Sequence, residues 1–288
     1  MNQFLAVDLG GTKTATAIVD ENGRVVCRQK AAASRAVEQT VEQIAAAAAG
    51  FDVKAAGIIV PGIYNSADGS AWAPNLWGWE PVPLRDTLAQ RLGLPAAIGS
   101  DRTGYVAGEQ WLGAARGLRD VVFVAVGTGI GVGILSGGRV IEGAHGIAGA
   151  AGWMALDPRW KAGYERSGCW ETEAAGPAVA RRGGEESAEA VVAAARLGSE
   201  RALGALRETA DWLGMGIANL ISLLNPEMVV LGGGLMQAGD LLLPRIRETA
   251  TRWAQPIAMQ KTAIRLTELG EDAGLFGAAR LAILSGGH

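Results

Sequence analysis

The chain opens on an apolar run that glycine interrupts and that then starts again. Phe4 to Val7 is apolar, Asp8-Leu9-Gly10-Gly11-Thr12 breaks the run, and Thr14 to Val19 resumes it with small polar residues interleaved. Asn22-Gly23, a strong short signal for a hairpin, separates this run from Arg24-Val25-Val26. The pattern predicts three strands joined by a glycine turn and a tight hairpin.

The same order of elements returns near the middle of the chain. Val121 to Val126 is apolar, Gly127-Thr128-Gly129-Ile130-Gly131 is the turn, and Val132 to Leu135 is the returning strand. Ser136-Gly137-Gly138 then leads into Arg139-Val140-Ile141. Two units of one supersecondary type in a single chain predict two related α/β halves.

The remaining periodicity predicts helices and strands around these two units. The predicted helices are 36–49, 84–92, 103–114, 187–197, 199–224 and 273–284. The further predicted strands are 56–60, 96–98, 228–231 and 263–266. We expect residues 61–80, which are rich in Trp and Pro, to form a loop and residues 143–168 to be irregular.

Composition narrows the class of protein. A chain of 288 residues with 49% hydrophobic and 19% charged residues predicts a packed core, in two domains or in one large one. The net charge of −3 gives no basic surface, so nucleic acid is not an expected partner. The two cysteines, Cys27 and Cys169, form no disulfide framework and fit a reducing compartment. With no leader pattern and no apolar run that could span a bilayer, we expect a soluble cytoplasmic protein.

Three glycine clusters each follow an apolar strand directly, which is typical of turns that hold phosphate groups. Glycine lets the backbone N–H groups approach a ligand closely. Asp8, near the end of the first strand, is a candidate ligand for Mg²⁺. The candidate nucleotide contacts are Gly10, Gly11, Thr12, Lys13, Gly127, Thr128, Gly129, Gly232, Gly233 and Gly234. The alternatives are ordinary turns and, for Lys13, a solvated side chain.

Asp101 is the candidate for a catalytic carboxylate. Phosphoryl transfer to an alcohol needs a group that accepts the hydroxyl proton, and Asp101 lies where a short strand passes into a helix. Active-site residues of α/β folds collect at such strand ends. The alternative is that Asp101 or Ser100 is only the N-cap of the helix, and spacing alone favours that alternative.

Taken together, these segments resemble the ROK family (repressor, open reading frame, kinase), which includes bacterial sugar kinases. The matching segments are Asp8–Lys13, Pro61-Gly62 with Asn75-Leu76 and Trp79, Ser100-Asp101 with Glu109 to Gly117, Gly127–Gly131, Asn225–Glu227 with Leu231 to Gly234, and Ala273–Ala279. The resemblance implies an α/β fold of the two-lobed actin/hexokinase type (ribonuclease H-like). It places a small lobe over residues 1–103 plus about 272–288 and a large lobe over 104–271.

The resemblance also implies a function. It is the ATP-dependent phosphorylation of a hydroxyl on a sugar or sugar derivative, with Asp101 as general base and Mg²⁺-ATP held between the two glycine-rich turns. The implied sugar contacts are Gly62, Asn75, Ser100, Trp153 and Glu171. The family's repressors carry a DNA-binding segment ahead of the first phosphate motif, which here begins at residue 8, so we expect the kinase branch. The resemblance also implies a homodimer. The alternative is a non-catalytic sugar or nucleotide sensor derived from such a kinase.

Two stretches depart from the family pattern. Ala150 and Trp153 stand where the family has a sugar-binding Glu and a His, and Cys169 alone remains of four zinc ligands. A structural zinc site needs four such ligands, so we expect no zinc. A hypothesis is that Trp153, Trp160 and Trp170 pack to hold the segment instead. Because both family contacts are missing, unmodified glucose is expected to be a poor substrate.

Overall fold

The computed structural model describes residues 2–286, which form two compact units. The first unit contains the chain before Leu118, the segment Val140–Ile147, and the chain from Glu271 onward. The second unit contains Leu118–Arg139 and Ala148–Gly270. The first unit therefore extends past residue 103, where the sequence places the end of the small lobe. The lobe limits themselves stay a prediction.

Strands and helices alternate along the chain. The strands are β1 (Gln3–Leu9), β2 (Lys13–Asp20), β3 (Val25–Ala32), β4 (Val53–Val60), β5 (Ile63–Asn65), β6 (Ser70–Trp72), β7 (Ala96–Ser100), β8 (Val121–Val126), β9 (Ile130–Ser136), β10 (Arg139–Val140), β11 (Met228–Gly232) and β12 (Ala263–Leu266). The α-helices are α1 (Val37–Ala48), α2 (Pro74–Trp77), α3 (Leu84–Leu92), α4 (Asp101–Leu112), α5 (Tyr164–Ser167), α6 (Cys169–Ala174), α7 (Gly176–Gly183), α8 (Ala188–Arg196), α9 (Glu200–Leu224), α10 (Gly239–Trp253), α11 (Pro256–Lys261) and α12 (Ala273–Ser285).

The two five-stranded sheets have the same topology. The first runs β3-β2-β1-β4-β7 and the second β10-β9-β8-β11-β12. In both, the strand in the middle of the order pairs antiparallel with the strand that follows it in the chain and parallel with the strand on its other side. The predicted repeat of one α/β supersecondary unit is therefore confirmed.

The first sheet is buried on both faces at β1. Successive side chains of a strand point to opposite faces, so the consecutive apolar residues of β1 contribute to a core on each side. Leu5 and Val7 belong to one buried cluster, and Phe4 and Ala6 belong to another on the opposite face. The second face is covered by α12, which approaches closely at Gly57. A Cβ at Gly57 would lie 1.8 Å from the carbonyl oxygen of Ala278, so only glycine admits the helix there.

The structure also corrects several predicted elements. Helix α4 begins at Asp101, two residues earlier than expected, because Ser100 caps it. The predicted loop 61–80 contains the β5–β6 hairpin and α2, and the stretch 143–168 contains α5. Helices α6, α7, α10 and α11 were not predicted. Helix α10 has Pro244 in its interior. Proline disfavours a helix at the level of the sequence, but the buried side chains of α10 pack against the core and stabilise the helix.

Within residues 2–286, no helix combines the length and apolar character needed to cross a membrane.

Candidate active site

The first glycine turn follows Asp8 and joins β1 to β2. The N–H of Gly10 donates to the carbonyl oxygen of Lys13 at 2.9 Å, and a Cβ at Gly10 would lie 2.8 Å from that oxygen. A Cβ at Gly11 would meet nothing within 4 Å, and Thr12 and Lys13 are exposed. The backbone is therefore closed on the inner side of the turn and open on the outer side.

Asp101 lies at the junction of β7 and α4, in the same unit as Asp8. The N-cap is Ser100, whose hydroxyl oxygen accepts from the N–H of Thr103 at 3.4 Å. The carboxylate of Asp101 instead accepts from the N–H of Arg102 at 2.7 Å. The capping alternative therefore applies to Ser100 and leaves the second carboxylate oxygen of Asp101 available for chemistry.

The two aspartates share the edge of the sheet at which the parallel strands β1, β4 and β7 end. Burial, followed by the charges of Asp101 and Asp272, raises the pKa of Asp8 to about 7, and the charge of Lys30 opposes the shift. Burial raises the pKa of Asp101 to about 6, with Arg102 opposing it. Both carboxyl groups therefore titrate close to neutral pH, which suits proton transfer better than an ordinary aspartate does.

The start of α12 lies against Asp8. A Cβ at Gly274 would lie 2.3 Å from the Oδ2 of Asp8, so the helix can begin there only with glycine. Asp272, just before the helix, is ion-paired with Arg28 on β3. Sequence reasoning missed both Asp272 and Arg28 as neighbours of the site, because they lie 244 residues apart in the chain.

The predicted sugar loop is more ordered than expected. Gly62 has a φ of +150°, and a Cβ there would lie 2.2 Å from the carbonyl oxygen of Trp72. Asn75 lies exposed in α2, and its carbonyl oxygen accepts from Arg35. The rings of Trp72 and Trp79 lie 5.7 Å apart, with Trp79 77% exposed. An open aromatic surface therefore borders this loop.

In the second unit, the structure brings two of the predicted glycine clusters together. The N–H of Gly127 donates to the carbonyl oxygen of Gly129 at 3.0 Å, which closes the turn, and Thr128 is exposed. Gly233 has a φ of +91°, and a Cβ there would lie 2.4 Å from the carbonyl oxygen of Val126. The turn after β8 and the turn after β11 thus form one glycine-lined surface.

Glu171 is fixed on the same glycine turn. Its Oε2 accepts from the N–H of Ile130 at 2.7 Å, and a Cβ at Gly129 would lie 2.6 Å from that oxygen. Burial raises the pKa of Glu171, while the bonds from Ile130 and Ser167 oppose the shift. The carboxylate thus forms part of the hydrogen bonding of this turn, which argues against the alternative that Glu171 is an ordinary surface glutamate.

The tryptophan hypothesis for this segment is wrong. Trp170 is fully buried and its Nε1 donates to the carbonyl oxygen of Trp212 at 2.9 Å, but Trp153 is 56% and Trp160 is 74% exposed. The segment is held instead by the carboxylate of Glu173, which is 8% exposed. Its Oε1 accepts from Lys161 and from the hydroxyl of Tyr164, both at 2.7 Å, and its Oε2 pairs with Arg182 at 2.6 Å. We call these four residues the Glu173 network.

Cys169, the one remaining member of the family's zinc motif, is buried, and its Sγ accepts from the N–H of Leu156 at 3.4 Å. Among residues 2–286, no group of three or more His, Cys, Asp or Glu side chains is arranged to hold a metal ion. The prediction that the purified protein carries no zinc remains to be tested by metal analysis.

Known proteins match this chain along nearly its whole length. The sequence profile of the ROK family matches residues 4–284. A glucokinase from Streptomyces coelicolor is 34% identical, with 98% of each chain covered. The structure of a ROK family glucokinase from Streptomyces griseus in complex with glucose and AMPPNP matches with a TM-score of 0.83 at 33% identity, covering 98% of this chain and 99% of that one. A ROK hexokinase from Thermus thermophilus matches with a TM-score of 0.84 at 30% identity, covering 98% of both chains.

The chain has a fold of the actin/hexokinase type and matches sugar kinases along its whole length. It is therefore an ATP-dependent carbohydrate kinase. The class of transferase, the fold class and the use of ATP were all predicted from the sequence, and all three are confirmed. The chain belongs to the ROK family.

Proposed function

We propose that this kinase uses Asp101 as the general base that activates a sugar hydroxyl. The observation that carries the proposal is the state of the Asp101 carboxyl group. It stands at the end of a parallel strand, it is not the helix cap, and its pKa is about 6. A base with a pKa just below the working pH is ionised and still accepts a proton readily.

In the proposed reaction, the hydroxyl oxygen of the sugar forms a bond to the γ-phosphorus of ATP. The bond from that phosphorus to the bridging oxygen of ADP breaks, and ADP leaves with its electron pair. The hydroxyl proton passes to the free carboxylate oxygen of Asp101. Because the bonding changes are few, the remaining residues contribute by position and charge.

For the nucleotide, we propose that the two glycine turns and the turn after β11 contact the phosphates and the adenosine. The proposed contacts are Gly10, Gly11, Thr12, Lys13, Gly127, Thr128, Gly129, Gly232, Gly233 and Gly234. The open outer side of the first turn and the joined surface of the other two support this assignment.

Mg²⁺ fits the donor set at Asp8. Its oxygens are the ligands that this ion prefers, and the charges of Asp101 and Asp272, which add to the effect of burial on the pKa of Asp8, support a cation at this position. Mg²⁺ usually keeps several waters and the substrate phosphates as ligands, so one carboxylate from the protein is sufficient. When bound with ATP, the ion would spread the negative charge of the transferring group.

For the sugar, we propose contacts from Gly62, Asn75, Ser100, Trp153 and Glu171. The Streptomyces relatives are glucokinases, which favours a hexose or a hexose derivative. Ala150 and Trp153 cannot supply the charged contacts that the family pattern has there. A hydrogen bond to a charged group contributes about 1.5–3 kcal/mol, so losing two weakens the binding of unmodified glucose by roughly two to four decades.

Substitution of the base tests the proposal. Asp101→Asn keeps the size of the side chain but cannot accept the proton, so we expect turnover to fall by about 10²–10⁴-fold while ATP binding persists. ADP release is measured across hexoses, hexosamines, N-acetyl and anhydro sugars, with Asp52→Asn, an exposed aspartate of the same unit, as the control. Turnover that survives in Asp101→Asn would exclude the assigned role. Sugar binding by the wild type without ADP release would favour the sensor alternative.

The proposals that the chain forms a homodimer and works in the cytoplasm rest on the family resemblance and on cysteine usage. Light scattering of the purified protein measures the first.

A further inference from the structure

The side chain of Arg102 stands next to the proposed base, yet no role in the reaction described above uses it. Arg102 is the second residue of α4, directly after Asp101. Its Nη2 lies 3.5 Å from the carbonyl oxygen of Gly62, in the proposed sugar loop, and 3.5 Å from that of Gly146. The guanidinium therefore faces two loops at the same edge of the sheet as the base.

The guanidinium is poorly satisfied where it lies. Within residues 2–286, both hydrogen bonds of the group go to backbone carbonyl oxygens at 3.5 Å, far beyond the usual length of about 2.9 Å. Its Nε is buried and has no hydrogen-bond partner there. Burial lowers the pKa of Arg102, with Asp101 opposing, which is the sign of a cation that has lost water without full compensation.

A simple counter-charge role explains Arg102 less well. Among residues 2–286, no ion pair joins the guanidinium to the carboxylate of Asp101, which accepts instead from the backbone N–H of Arg102. Asp272 already has Arg28 as its partner, and Lys30 acts on Asp8. None of the three carboxylates at this end of the sheet therefore completes the hydrogen bonding of the Arg102 guanidinium.

The chemistry of the group indicates what would complete it. A guanidinium offers a fork of donors that fits two oxygens of a carboxylate or a phosphate, and such charge-assisted bonds are short and strong. The uncharged Ala150 and Trp153, by contrast, reduce recognition of neutral hydroxyl groups. A charged substituent on the sugar would supply binding energy that those two positions do not.

We propose that Arg102 is a specificity-determining residue that binds an oxyanion carried by the sugar, so that the preferred acceptor is a sugar acid or a sugar phosphate. This inference rests on the proposed function, because it places the substituent beside the hydroxyl that Asp101 activates. Carboxylate and phosphate present the same recognition chemistry, and the choice between them is made by experiment.

The first test needs only the wild-type protein. Rates of ADP release are compared for a neutral hexose, its uronic and aldonic acids, and its 1- and 6-phosphates at equal concentrations. We expect one acid or one phosphate to exceed the neutral sugar by at least about tenfold in kcat/KM, and the same compound to raise the melting temperature more. The acid and phosphate arms identify the source of the oxyanion. A wild type that prefers the neutral sugar in both measurements overturns the inference.

The second test separates binding from chemistry. Arg102→Gln is expected to raise KM for the charged sugar by about 10- to 100-fold and to raise KM for a neutral sugar much less. Rates are compared at pH 8, where Asp101 stays ionised although the charge of Arg102 no longer opposes its raised pKa. Arg102→Lys keeps the charge without the fork and should recover part of the loss. Arg116→Gln, an exposed arginine just beyond the end of α4, is the matched control and should behave as the wild type does. Circular dichroism verifies the fold of each variant, and if a variant does not fold, the wild-type comparison decides.

Equal losses with charged and neutral sugars would overturn the role of Arg102 and leave the proposed function intact, provided that neutral-sugar turnover still depends on Asp101. A folded wild type that releases ADP with none of these sugars would contradict the proposed function itself, and with it the inference.

Discussion

Asp8 and Asp101 owe their properties to burial more than to any special local sequence. Burial is the largest cause of the raised pKa at both carboxyl groups, and neighbouring like charges add to it only at Asp8. A folded state with such raised pKa values binds protons that the unfolded chain would release. These two groups therefore contribute less stability as the pH rises from about 4 to 7, a cost that active sites commonly carry.

The pKa of Asp101 predicts the acid limb of the activity. The base must be ionised, so kcat/KM for the sugar should fall as the pH drops through about 6, approaching about tenfold per pH unit below it. Initial rates from pH 5 to 8 at saturating Mg²⁺-ATP measure this, with circular dichroism to verify the fold at each pH. A flat profile from pH 5 to 6.5 in folded protein would speak against Asp101 as the base.

At the scale of elements, the carboxylate of Glu173 joins several parts of the segment that runs from Lys161 to the end of α7. Glu173 on α6 receives bonds from the chain before α5, from α5 itself and from α7. Burial raises its pKa, but the bonds from Lys161 and Tyr164 outweigh burial and leave the pKa below its usual value. Glu171 lies two residues before Glu173 on the same helix. The Glu173 network therefore also holds in place the helix that carries this proposed sugar contact.

Removal of the Glu173 carboxylate should therefore be costly. Glu173→Ala leaves the buried hydroxyl of Tyr164 without its acceptor and takes from Arg182 one of two carboxylate partners, Glu208 remaining as the other. We expect the free energy of unfolding to fall by about 1–3 kcal/mol. Urea unfolding measures the change, and Glu186→Ala, an exposed glutamate nearby, should change it by less than about 0.5 kcal/mol. Similar effects of the two substitutions would show that the Glu173 network does not hold the segment.

At the scale of the whole molecule, each of the two units contains a five-stranded sheet, and the two sheets share one strand order with a glycine turn after the central strand. The first unit contains Asp8, Asp101 and the loop after β4, and the second contains Glu171 and the glycine turns after β8 and β11. The folding of both units rests on apolar clusters of their own.

The whole chain should accordingly keep its stability without zinc. We expect purified protein to contain less than about 0.1 zinc per chain, since three of four ligands are missing and a structural site needs all four. A zinc-selective chelator should leave the melting temperature within about 1 °C, which is smaller than the shift from a loss of 1 kcal/mol. Stoichiometric zinc by elemental analysis, or a large drop in melting temperature, would refute this.

Local patterns in the sequence were enough for the elements whose signals are local. Helix α3 and strands β8 and β12 have the bounds that periodicity predicts, because burial of one face or of both faces leaves a regular apolar pattern. The glycine turns were readable because close backbone approach leaves few residue types available. The family resemblance then gave the fold and the class of enzyme, and it favoured the role of base for Asp101 over that of a helix cap.

What the sequence by itself determined is thus the order of strands and turns, the two repeated halves and the positions of the glycine turns, since these depend on neighbours along the chain. Tertiary structure alone decided that Ser100 caps α4, that Asp272 and Gly274 border Asp8, that Glu171 meets the N–H of Ile130, and that Arg102 lies with an unsatisfied edge beside the base. Some of those contacts join residues that are distant in the chain, and others depend on how deeply each side chain is buried. Neither property produces a periodic pattern in the sequence.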